Sequence, residues 1–347
     1  MIDIKSQIIK PSLNLEDLRV VASAEGWGLT DLRSLHFFLN RNFKYRRKIT
    51  ITEQSGSDLT DYQVLIELNS TNFDFSHAQT NGEDIRFTDA SGNLLDYWIE
   101  EWDAVNESAK VWVKVPSIPA NSSVEIFMYY GNSEVVDASD GDAVFEFFDD
   151  FEGTGIDTTK WDVYLPNQFT VSNGIVECVG STKYPNLQTS NFQREAGESL
   201  SIEVKINVTL LGGGAYSGFV LAFTTADQTQ FWGTGASDGV GWYTESGKYD
   251  RYVVFNGSGS WKPGDNRGLT TGEIRETVII TSDKIIHRAS GARTFDDTFS
   301  GATNSTDAMS LRIFHTYDGY RIECDWVLVR KYASPEPSVS IGAEGTA

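Results

Sequence analysis

The chain has 347 residues, enough for two or three domains, and its 40% hydrophobic and 22% charged residues are typical of a globular protein. With 28 basic and 49 acidic residues its net charge is -21, which excludes broad electrostatic wrapping of nucleic acid, since that needs an excess of Lys and Arg. It has no stretch of about 18 uncharged apolar residues, so membrane insertion is not expected.

The cysteines and histidines exclude further classes of protein. Two cysteines, Cys178 and Cys324, exclude a disulfide-dense scaffold and a zinc site built from two Cys-x-x-Cys pairs, but they leave one disulfide open. The four histidines are scattered without metal-ligand spacing. Aromatic residues make up 12% of the chain, and with 31 glycines and many β-branched residues they indicate an all-β protein.

Residues 1–41 differ from the rest and are predicted to form a short helical segment. Apolar residues at helical spacing follow two capping positions, Asn14 (or Ser12) and Thr30. Up to Lys48 there are nine basic and five acidic residues, a net charge of +4 on a chain whose remainder carries -25. This asymmetry predicts that residues 1–48 dock on other subunits of an assembly. Two alternatives stay open: a helical pair packed on the following domain, and a helix-turn-helix DNA reader.

Residues 42–148 show alternating apolar and polar residues, broken by turn signals such as Asp89-Ala-Ser-Gly92. Six short segments over about 100 residues are typical of an immunoglobulin-like or other small antiparallel sandwich. The predicted strands are Ile49–Thr52, Tyr62–Leu68, Ile85–Phe87, Tyr97–Ile99, Val111–Val115 and Val124–Tyr130.

Several motifs within residues 45–148 resemble an uncharacterised β-sandwich domain common in bacterial and archaeal surface proteins. They are Tyr45-Arg-Arg-Lys-Ile49, Asp84-Ile-Arg-Phe-Thr-Asp89, Tyr97-Trp-Ile-Glu100, Val111-Trp-Val-Lys-Val-Pro-Ser-Ile-Pro119 and Met128-Tyr-Tyr-Gly-Asn132. The resemblance implies a surface location beside other β modules, and it implies no activity.

Residues 149–347 are predicted to form a second, larger domain. It opens with Asp149-Asp-Phe-Glu-Gly153 and Trp161, and it closes with Glu323-Cys-Asp-Trp-Val-Leu-Val-Arg-Lys-Tyr332 and Val339-Ser-Ile341. Between these ends lie four further strand-like runs, Ser201–Val208, Ser217–Phe223, Glu276–Thr281 and Met309–Phe314. About 200 residues of this kind fit one jelly-roll sandwich.

The ends of this second domain, taken as residues 149–345, resemble concanavalin A-like lectin and laminarinase-type glucanase sandwiches. In that family a structural calcium ion often ties the first strand to the last, and the positions matching its side-chain ligands are Asp150 and Asp325. Calcium prefers carboxylate and carbonyl oxygens, so the resemblance implies a calcium site there. The alternative is a solvated acidic turn.

Catalysis is not expected. Hydrolases of this fold place paired carboxylates on one strand as Glu-x-Asp-x-x-Glu, where alternation points both groups to one face. In the second domain Glu323-Cys-Asp325 has the first spacing, at the terminal strand, and the second Glu is missing. No Gly-x-Ser-x-Gly elbow and no phosphate-binding Gly-x4-Gly-Lys-Ser/Thr loop is present in the sequence. The chain is therefore predicted not to be an enzyme.

Binding of a glycan is the better interpretation of the segment from Phe231 to Trp261. Sugars are held by stacking on exposed aromatic rings, with polar neighbours that accept their hydroxyls. The alternative is that half of these aromatic residues fill the core. The candidate contacts are Trp232, Trp242, Tyr243, Tyr249, Trp261 and Asp265, with Asp238, Glu245 and Asp250 as further acceptors, and Tyr252 and Phe255 assigned to the core.

Two functions follow from these patterns. The first is a non-enzymatic structural or adhesion protein displayed on a virion, as a decoration, turret, spike or tail fibre, or on a cell surface, where it contacts a host glycan. The residues from Met1 to Pro11 lack the apolar core of a secretory signal peptide, which favours the virion. A homo-oligomer is expected, because such assemblies usually obey cyclic symmetry. The second is a secreted carbohydrate-binding or glycan-hydrolysing module cut from a longer precursor.

Asn-x-Ser/Thr triplets are the remaining motif. They begin at Asn69, Asn106, Asn121, Asn207, Asn256 and Asn304. Several are expected by chance in a chain rich in Ser and Thr. If the protein is displayed outside an archaeal cell or on its virus, some of them can carry glycans.

Overall fold

The computed structural model describes residues 42–179, 184–211, 220–229, 236–245, 248–262, 270–314 and 319–347. The helices predicted for residues 1–41 therefore lie outside the described residues. The rest confirms the all-β prediction, because its strands form antiparallel sheets throughout. The chain divides into two compact units, one made of the residues up to Val144 with Ala333–Ala347 and the other of Phe145–Tyr332. Among the described residues, no helix is long and apolar enough to cross a membrane.

The first unit is a sandwich of two sheets, ordered β23-β1-β7-β3-β4 and β2-β6-β5 in the described part of the chain. Every strand except β4 is rich in Val, Ile, Thr or aromatic residues, the types that pack best on a pleated surface. Its strands are β1 (Tyr45–Thr52), β2 (Leu59–Asn69), β3 (Arg86–Asp89), β4 (Leu94–Leu95), β5 (Tyr97–Asp103), β6 (Ser108–Ile118), β7 (Ser123–Tyr130) and β23 (Ser338–Thr346). It also contains a 3-10 turn, Phe75–His77, and a short helix, α1 (Gly141–Val144).

Alternation along these strands builds the core of the first unit. Ile49 and Ile51 of β1 are fully buried, while Thr50 between them is half-buried and Lys48 before them is exposed. The same rule buries Ile126, Met128 and Tyr130 of β7. The main core residues are Tyr62, Val64, Ile66, Leu68, Phe87, Tyr97, Val111, Val113, Ile126, Met128 and Tyr130.

The end of the chain returns to the first unit, which corrects the predicted boundary of the second domain. β23 pairs antiparallel with β1, with Tyr45 opposite Thr346 and Thr52 opposite Ser338. Val339 and Ile341 pack against the core of the first unit. Residues 333–347, which the sequence assigned to a domain spanning 149–347, thus complete the sandwich predicted for 42–148. The second unit is an insertion between β7 and β23.

The second unit is a larger jelly-roll sandwich. In the described residues, one sheet runs β10-β11-β22-β13-β18-β19-β20 with β8 paired to β22 (the larger sheet), and the other runs β17-β16-β15-β14-β21-β12-β9 (the smaller sheet). The strands are β8 (Phe147–Asp149), β9 (Trp161–Tyr164), β10 (Phe169–Ser172), β11 (Ile175–Val179), β12 (Asn186–Thr189), β13 (Leu200–Leu210), β14 (Val220–Thr224), β15 (Ala236–Glu245), β16 (Lys248–Phe255), β17 (Ser258–Lys262), β18 (Gly272–Ile280), β19 (Lys284–Gly291), β20 (Phe295–Ser300), β21 (Ser310–Ile313) and β22 (Arg321–Lys331).

The two cysteines lie in the core of this unit, and both are in the thiol form. Cys178 of β11 stands opposite Ile322, and Cys324 of β22 stands opposite Val176, so the two thiols are diagonal neighbours on adjacent strands. Both side chains are fully buried, and burial raises the pKa of the Cys324 thiol well above its ordinary value. The disulfide that the sequence left open is not formed.

Candidate functional site

Four of the predicted glycan contacts occupy neighbouring strands of the smaller sheet. Trp242 and Tyr243 lie on β15, Tyr249 on β16 and Trp261 on β17, the three strands that end this sheet on one side. In the backbone register Tyr249 lies opposite Thr244 of β15. Tyr252 of β16 lies between Gly241 of β15 and Trp261 of β17 and is paired with both. Trp232 and Asp265 lie outside the described residues.

A continuous row of paired residues crosses the whole smaller sheet beside these positions. Its members, from β9 to β17, are Asp162, Gln188, Arg312, Ala222, Gly239, Val254 and Gly259. The residues that flank the row on each strand, such as Leu221 and Leu311, belong to the core. Because side chains alternate across a strand, the row lies on the outer face of the sheet. We call it the outer row.

Arg312 fixes the polar end of the outer row. Its Nε and Nη2 atoms donate to Oε1 of Gln188 at 3.0 and 2.6 Å, and Nη2 also donates to the carbonyl oxygen of Ala226 at 2.8 Å. Burial lowers the pKa of the Arg312 guanidinium to about 10, with the charge of Asp227 acting against that shift. Since the Gln188 oxygen is held in this way, its Nε2 donor, which has no partner in the described part of the chain, is available to a ligand.

The middle of the outer row is closely packed and buried. Ala222 is followed by Gly239, where a Cβ atom would overlap the carbonyl oxygen of Leu221. Gly239 also has φ +153°, a conformation that favours glycine. A residue with a side chain is therefore excluded at this position. Ala222, Val254 and Arg312 are buried as well, so the row is accessible only towards its ends.

Asn186 supplies a second polar group on the same strand as Gln188. Its Nδ2 donates to the carbonyl oxygens of Tyr184 and Gln228 at 3.0 and 3.1 Å. Its Oδ1 is buried and accepts no hydrogen bond within the described residues. A buried acceptor without a donor costs about 1–3 kcal/mol, so this atom favours a hydroxyl group or a water molecule as its partner.

One predicted sugar acceptor is wrong. Asp238 is fully buried, and its Oδ2 lies 2.7 Å from Nη1 of Arg194, which is also fully buried. Its Oδ1 and Oδ2 also accept the backbone N–H groups of Asn256 and Asn304. Asp238 therefore ties three loops to the core and does not face a ligand. Phe255 packs against the core, as predicted.

The two predicted calcium ligands come from adjacent strands but do not make a calcium site together. Because β8 pairs with β22, the chain around Asp150 runs beside Asp325. Lys205, however, places its Nζ 2.8 Å from Oδ2 of Asp325, so that carboxylate already has a cationic partner. Within the described ranges no three acidic, His or Cys side chains cluster as metal ligands, whereas calcium takes 6–8 oxygen ligands. The residues present do not fit the ion.

The acidic opening of the second unit has a structural role instead. Oδ2 of Asp149 accepts the indole N–H of Trp161 at 2.6 Å, and Oδ1 accepts the backbone N–H of Phe151 at 2.9 Å. Burial raises the pKa of the Asp149 carboxyl, and these hydrogen bonds act against that shift. The motif that the sequence connects with calcium thus holds β9 against β8.

Two carboxylates on the larger sheet, those of Glu323 and Glu203, bind other side chains of the protein. Oε2 of Glu323 accepts Nδ2 of Asn207 at 2.8 Å. Glu203 is buried between Arg330, at 2.8 Å from Oε1, and Arg275, at 2.6 Å from Oε2. Burial favours its protonated form, but the two guanidinium groups outweigh burial and lower the pKa of Glu203 to about 2. This is the opposite of the raised pKa that a catalytic acid needs.

The sequence motifs of the first unit also prove to be structural. Trp98 and Trp112 face each other across β5 and β6, and the indole N–H of Trp112 donates to Glu100 at 2.8 Å. The buried carboxylate of Asp84 accepts the backbone N–H groups of Gly131 and Asn132 at 2.7 and 2.9 Å. These contacts join two strands and close a turn.

Comparison with known proteins finds one family model. It is described as a domain of unknown function, DUF2341, and it matches residues 81–164, from the first unit across the boundary to β9. The chain is also similar to the uncharacterised protein MJ1472 of Methanocaldococcus jannaschii, with 28% identity over 167 residues. That match covers 43% of this chain and 30% of the relative, so the chain spans under a third of the relative's length.

Solved structures similar to the chain have carbohydrate-related descriptions. One is an endo-β-1,3-glucanase from Pyrococcus furiosus, with 13% identity, a TM-score of 0.37 and coverage of 55% of this chain and 95% of that chain. Another is a pseudo β-1,3-glucanase of Mycobacterium tuberculosis, with 12% identity, a TM-score of 0.39 and coverage of 54% and 99%. A third is the CBM2 module of the evolved Dit of Lactobacillus casei BL23 phage J-1, with 9% identity, a TM-score of 0.39 and coverage of 57% and 96%. Similarity at this level carries no information on activity.

Proposed function

We propose that this chain is a non-enzymatic protein displayed on a virion or a cell surface, and that its second unit binds a glycan on the outer face of the smaller sheet. One observation carries the proposal. Of the predicted aromatic contacts, Tyr243 and Trp261 share the face of the outer row, because each lies an even number of residues from a member of the row on its own strand, Gly239 or Gly259. Because the middle of the row is buried, a sugar contacts this face at its accessible ends, beside the Gln188 amide on one side and beside β17 on the other.

The chemistry of the row suits neutral sugar hydroxyls. Gln188 offers a donor, exposed Asp162 offers an acceptor, and half-buried Tyr164 on the same strand offers a ring for stacking. The row contains a single carboxylate, Asp162, while cleavage of a glycosidic bond uses two across that bond. This supports binding without turnover.

Binding is tested with a glycan array and calorimetry on the full chain. We expect Tyr243→Ala, Trp261→Ala and Gln188→Ala each to weaken binding about tenfold, which corresponds to about 1.4 kcal/mol. Tyr129→Ala, at a half-buried aromatic residue of β7 in the first unit, is the matched control and should leave binding unchanged. Absence of any glycan ligand, or an equal loss in the control, would refute the proposal.

The alternative is a carbohydrate-binding or glycan-hydrolysing module of a longer protein. It is favoured by the match to a relative of which the chain spans only 30%. An assay for the release of reducing ends from the bound polysaccharide distinguishes a glycan-binding protein from a glycan-hydrolysing one. Measurable turnover that is lost in Asp162→Asn would establish hydrolysis and overturn the non-enzymatic proposal.

A further inference from the structure

Two of the six Asn-x-Ser/Thr triplets are identical in sequence and differ in their surroundings. Asn69-Ser-Thr71 ends β2 in the first unit, and Asn304-Ser-Thr306 follows β20 in the second. In both, the Thr backbone N–H and hydroxyl donate to the Oδ1 atom of the Asn. These hydrogen bonds are therefore the same in both triplets. A difference in reactivity between the two asparagines comes from the hydrogen bonding and the exposure of the amide nitrogen, Nδ2.

The amide nitrogen of Asn69 is free. Oδ1 accepts from Thr71 N at 2.9 Å and from Thr71 Oγ1 at 2.5 Å, which orients the amide. The backbone is fixed as well, because the carbonyl oxygen of Asn69 accepts the N–H groups of Asn72 and Phe73. All three residues of the triplet are exposed, and Nδ2 donates to no group within the part of the chain that the structure describes.

The amide nitrogen of Asn304 is engaged and covered. Asn304 is 5% exposed, and its Nδ2 donates to Oδ2 of Asp307 at 3.1 Å. Its backbone N–H donates to the buried Asp238 carboxylate at 2.9 Å, so the residue cannot swing outward without breaking this hydrogen bond to the core. The other triplets are less well matched: Asn106 donates Nδ2 to Asp103 at 2.6 Å, and Asn207 lies within β13.

We propose that Asn69 is a site of N-linked glycosylation and that Asn304, despite the same triplet, is not. The donor is a saccharide carried on a polyprenyl phosphate. Nδ2 of Asn69 forms a bond to the anomeric carbon of the saccharide, the bond from that carbon to the phosphate oxygen breaks, and the lipid phosphate leaves with the electron pair. The amide gives up one proton to the transferase. In the cell this requires the surface location given under the proposed function.

A saccharide at Asn69 would lie beside an open edge of the first sandwich. Leu65, Asn69 and Asn72 line a groove together with Pro337, Val339 and Ile341 of the C-terminal segment. In the described residues, β23 pairs with β1 on one side only, and β2 pairs with β6 on one side only. Exposed strand edges of this kind promote association with other chains, and a bulky polar group beside them blocks it.

The test uses the folded full-length chain, a purified oligosaccharyltransferase and its lipid-linked saccharide, with sites assigned by mass spectrometry of peptides. We expect the glycan on Asn69 and none on Asn304. Two synthetic peptides that contain the triplets serve as unfolded references, and both should be modified. This assay needs neither export nor glycan binding, so its failure and the failure of the proposed function are distinguishable.

Variants make the result specific to the site. Asn69→Gln and Ser70→Pro should each abolish the Asn69 product, since proline in the middle position blocks transfer. Asp307→Ala frees Nδ2 of Asn304 but leaves its burial, and Asn304 should remain unmodified. Equal modification of Asn69 and Asn304 in the folded chain, or an unmodified Asn69 whose peptide is modified, would overturn the proposal.

Discussion

The carboxylate of Glu344 accepts a 2.7 Å hydrogen bond from the phenol of Tyr130, a residue 214 positions earlier in the chain. Nδ1 of His77 lies 3.0 Å from the same carboxylate oxygen, and Nη2 of Arg47 lies 3.9 Å from it. His77 in turn stacks on Tyr45 with ring centroids 4.0 Å apart. The last strand of the chain is thus bonded to three elements of the first unit through one side chain.

Glu344→Gln should lower the free energy of unfolding of the first unit by about 1–3 kcal/mol, the range for hydrogen bonds to a charged group. Burial opposes ionisation of Glu344, but hydrogen bonds from His77 and Tyr130 outweigh it and lower the pKa of this carboxyl. Its contribution is complete above the unfolded pKa, near 4.5, and is lost as pH falls through the lower folded pKa.

Denaturant titrations at pH 7 and pH 3 measure this effect. The difference between the wild type and Glu344→Gln should be largest at pH 7 and should shrink at the acidic end. Glu67→Gln, at an exposed residue of β2, is the control and should change stability little. A variant as stable as the wild type at pH 7 would contradict the role assigned to Glu344.

The sequence predicts the strands of the first unit but not the partner of the last one. Val339-Ser-Ile341 alternates as a strand should, and the structure places it in β23. Alternation specifies which face is buried and does not specify which edge the strand joins. Pairing between Tyr45 and Thr346 closes nearly the whole chain, so no local pattern reports it.

Replacing residues 145–332 by a short Gly/Ser linker should leave a folded first unit. The inserted unit begins and ends on adjacent strands, because Phe147 is opposite Val329 and Glu146 N–H donates to the carbonyl oxygen of Val329 at 2.9 Å. A short linker can therefore span the gap. Circular dichroism and thermal unfolding should show a cooperative β protein.

Removing residues 333–347 from that shortened chain should abolish its cooperative unfolding. β1 would lose one of its two partner strands, and Val339 and Ile341 would no longer cover the core. If the shortened chain instead unfolds equally well with and without this segment, the assignment of β23 to the first unit is incorrect.

The candidate site was predicted in part. Aromatic residues among Gly and Ser in residues 231–261 indicated a sugar contact, and four of them occupy adjacent strands. The Gln188 and Arg312 end was missed, because a single polar residue in a short strand is typical of any solvent-facing position. The available signal was Arg312 between Leu311 and Ile313, a charge in the middle of an apolar run. Asp238 was misassigned since its partner, Arg194, is far away in sequence.

Glu203→Gln should destabilise the second unit by about 3–5 kcal/mol at pH 7, because it leaves the guanidinium of the nearly buried Arg330 without its counter-charge. The folded pKa of about 2 lies below the ordinary 4.5. The stabilisation is therefore complete above pH 4.5 and is lost as pH falls towards 2. Denaturant unfolding followed by tryptophan fluorescence at several pH values measures both the loss of stability in the variant and its dependence on pH.

Glu273→Gln is the matched control on the same sheet. Glu273 is 69% exposed and its Oε2 lies 3.7 Å from Lys205, so its pair is worth about 0–1 kcal/mol. If the two variants lose similar stability, the buried cluster around Glu203 does not have the weight given to it.

Both cysteine thiols should resist a thiol reagent in the folded protein. Cys178 and Cys324 are fully buried, and the raised pKa of Cys324 leaves little thiolate at pH 8. We expect no labelling under native conditions and two labels per chain in denaturant, with identical results after reduction. Ser57→Cys, at an exposed turn, provides a reactive reference. Rapid native labelling, or fewer than two labels in unreduced denatured protein, would contradict free buried thiols.

Calcium should not change the stability of the second unit. Lys205 already neutralises Asp325, and a site-bound ion would have to displace it at 2.8 Å. A ligand present at 100 times its dissociation constant adds about 2.7 kcal/mol, which corresponds to a rise in Tm of about 5–10 °C for a domain of this size. Thermal unfolding with excess calcium and with chelator should therefore give the same Tm.

Lys205→Met removes the competing ammonium group. A calcium-dependent Tm that arises only in this variant would identify Lys205 as the group that excludes the ion. A rise in Tm of that size in the wild type would restore the calcium site that the sequence resemblance implies.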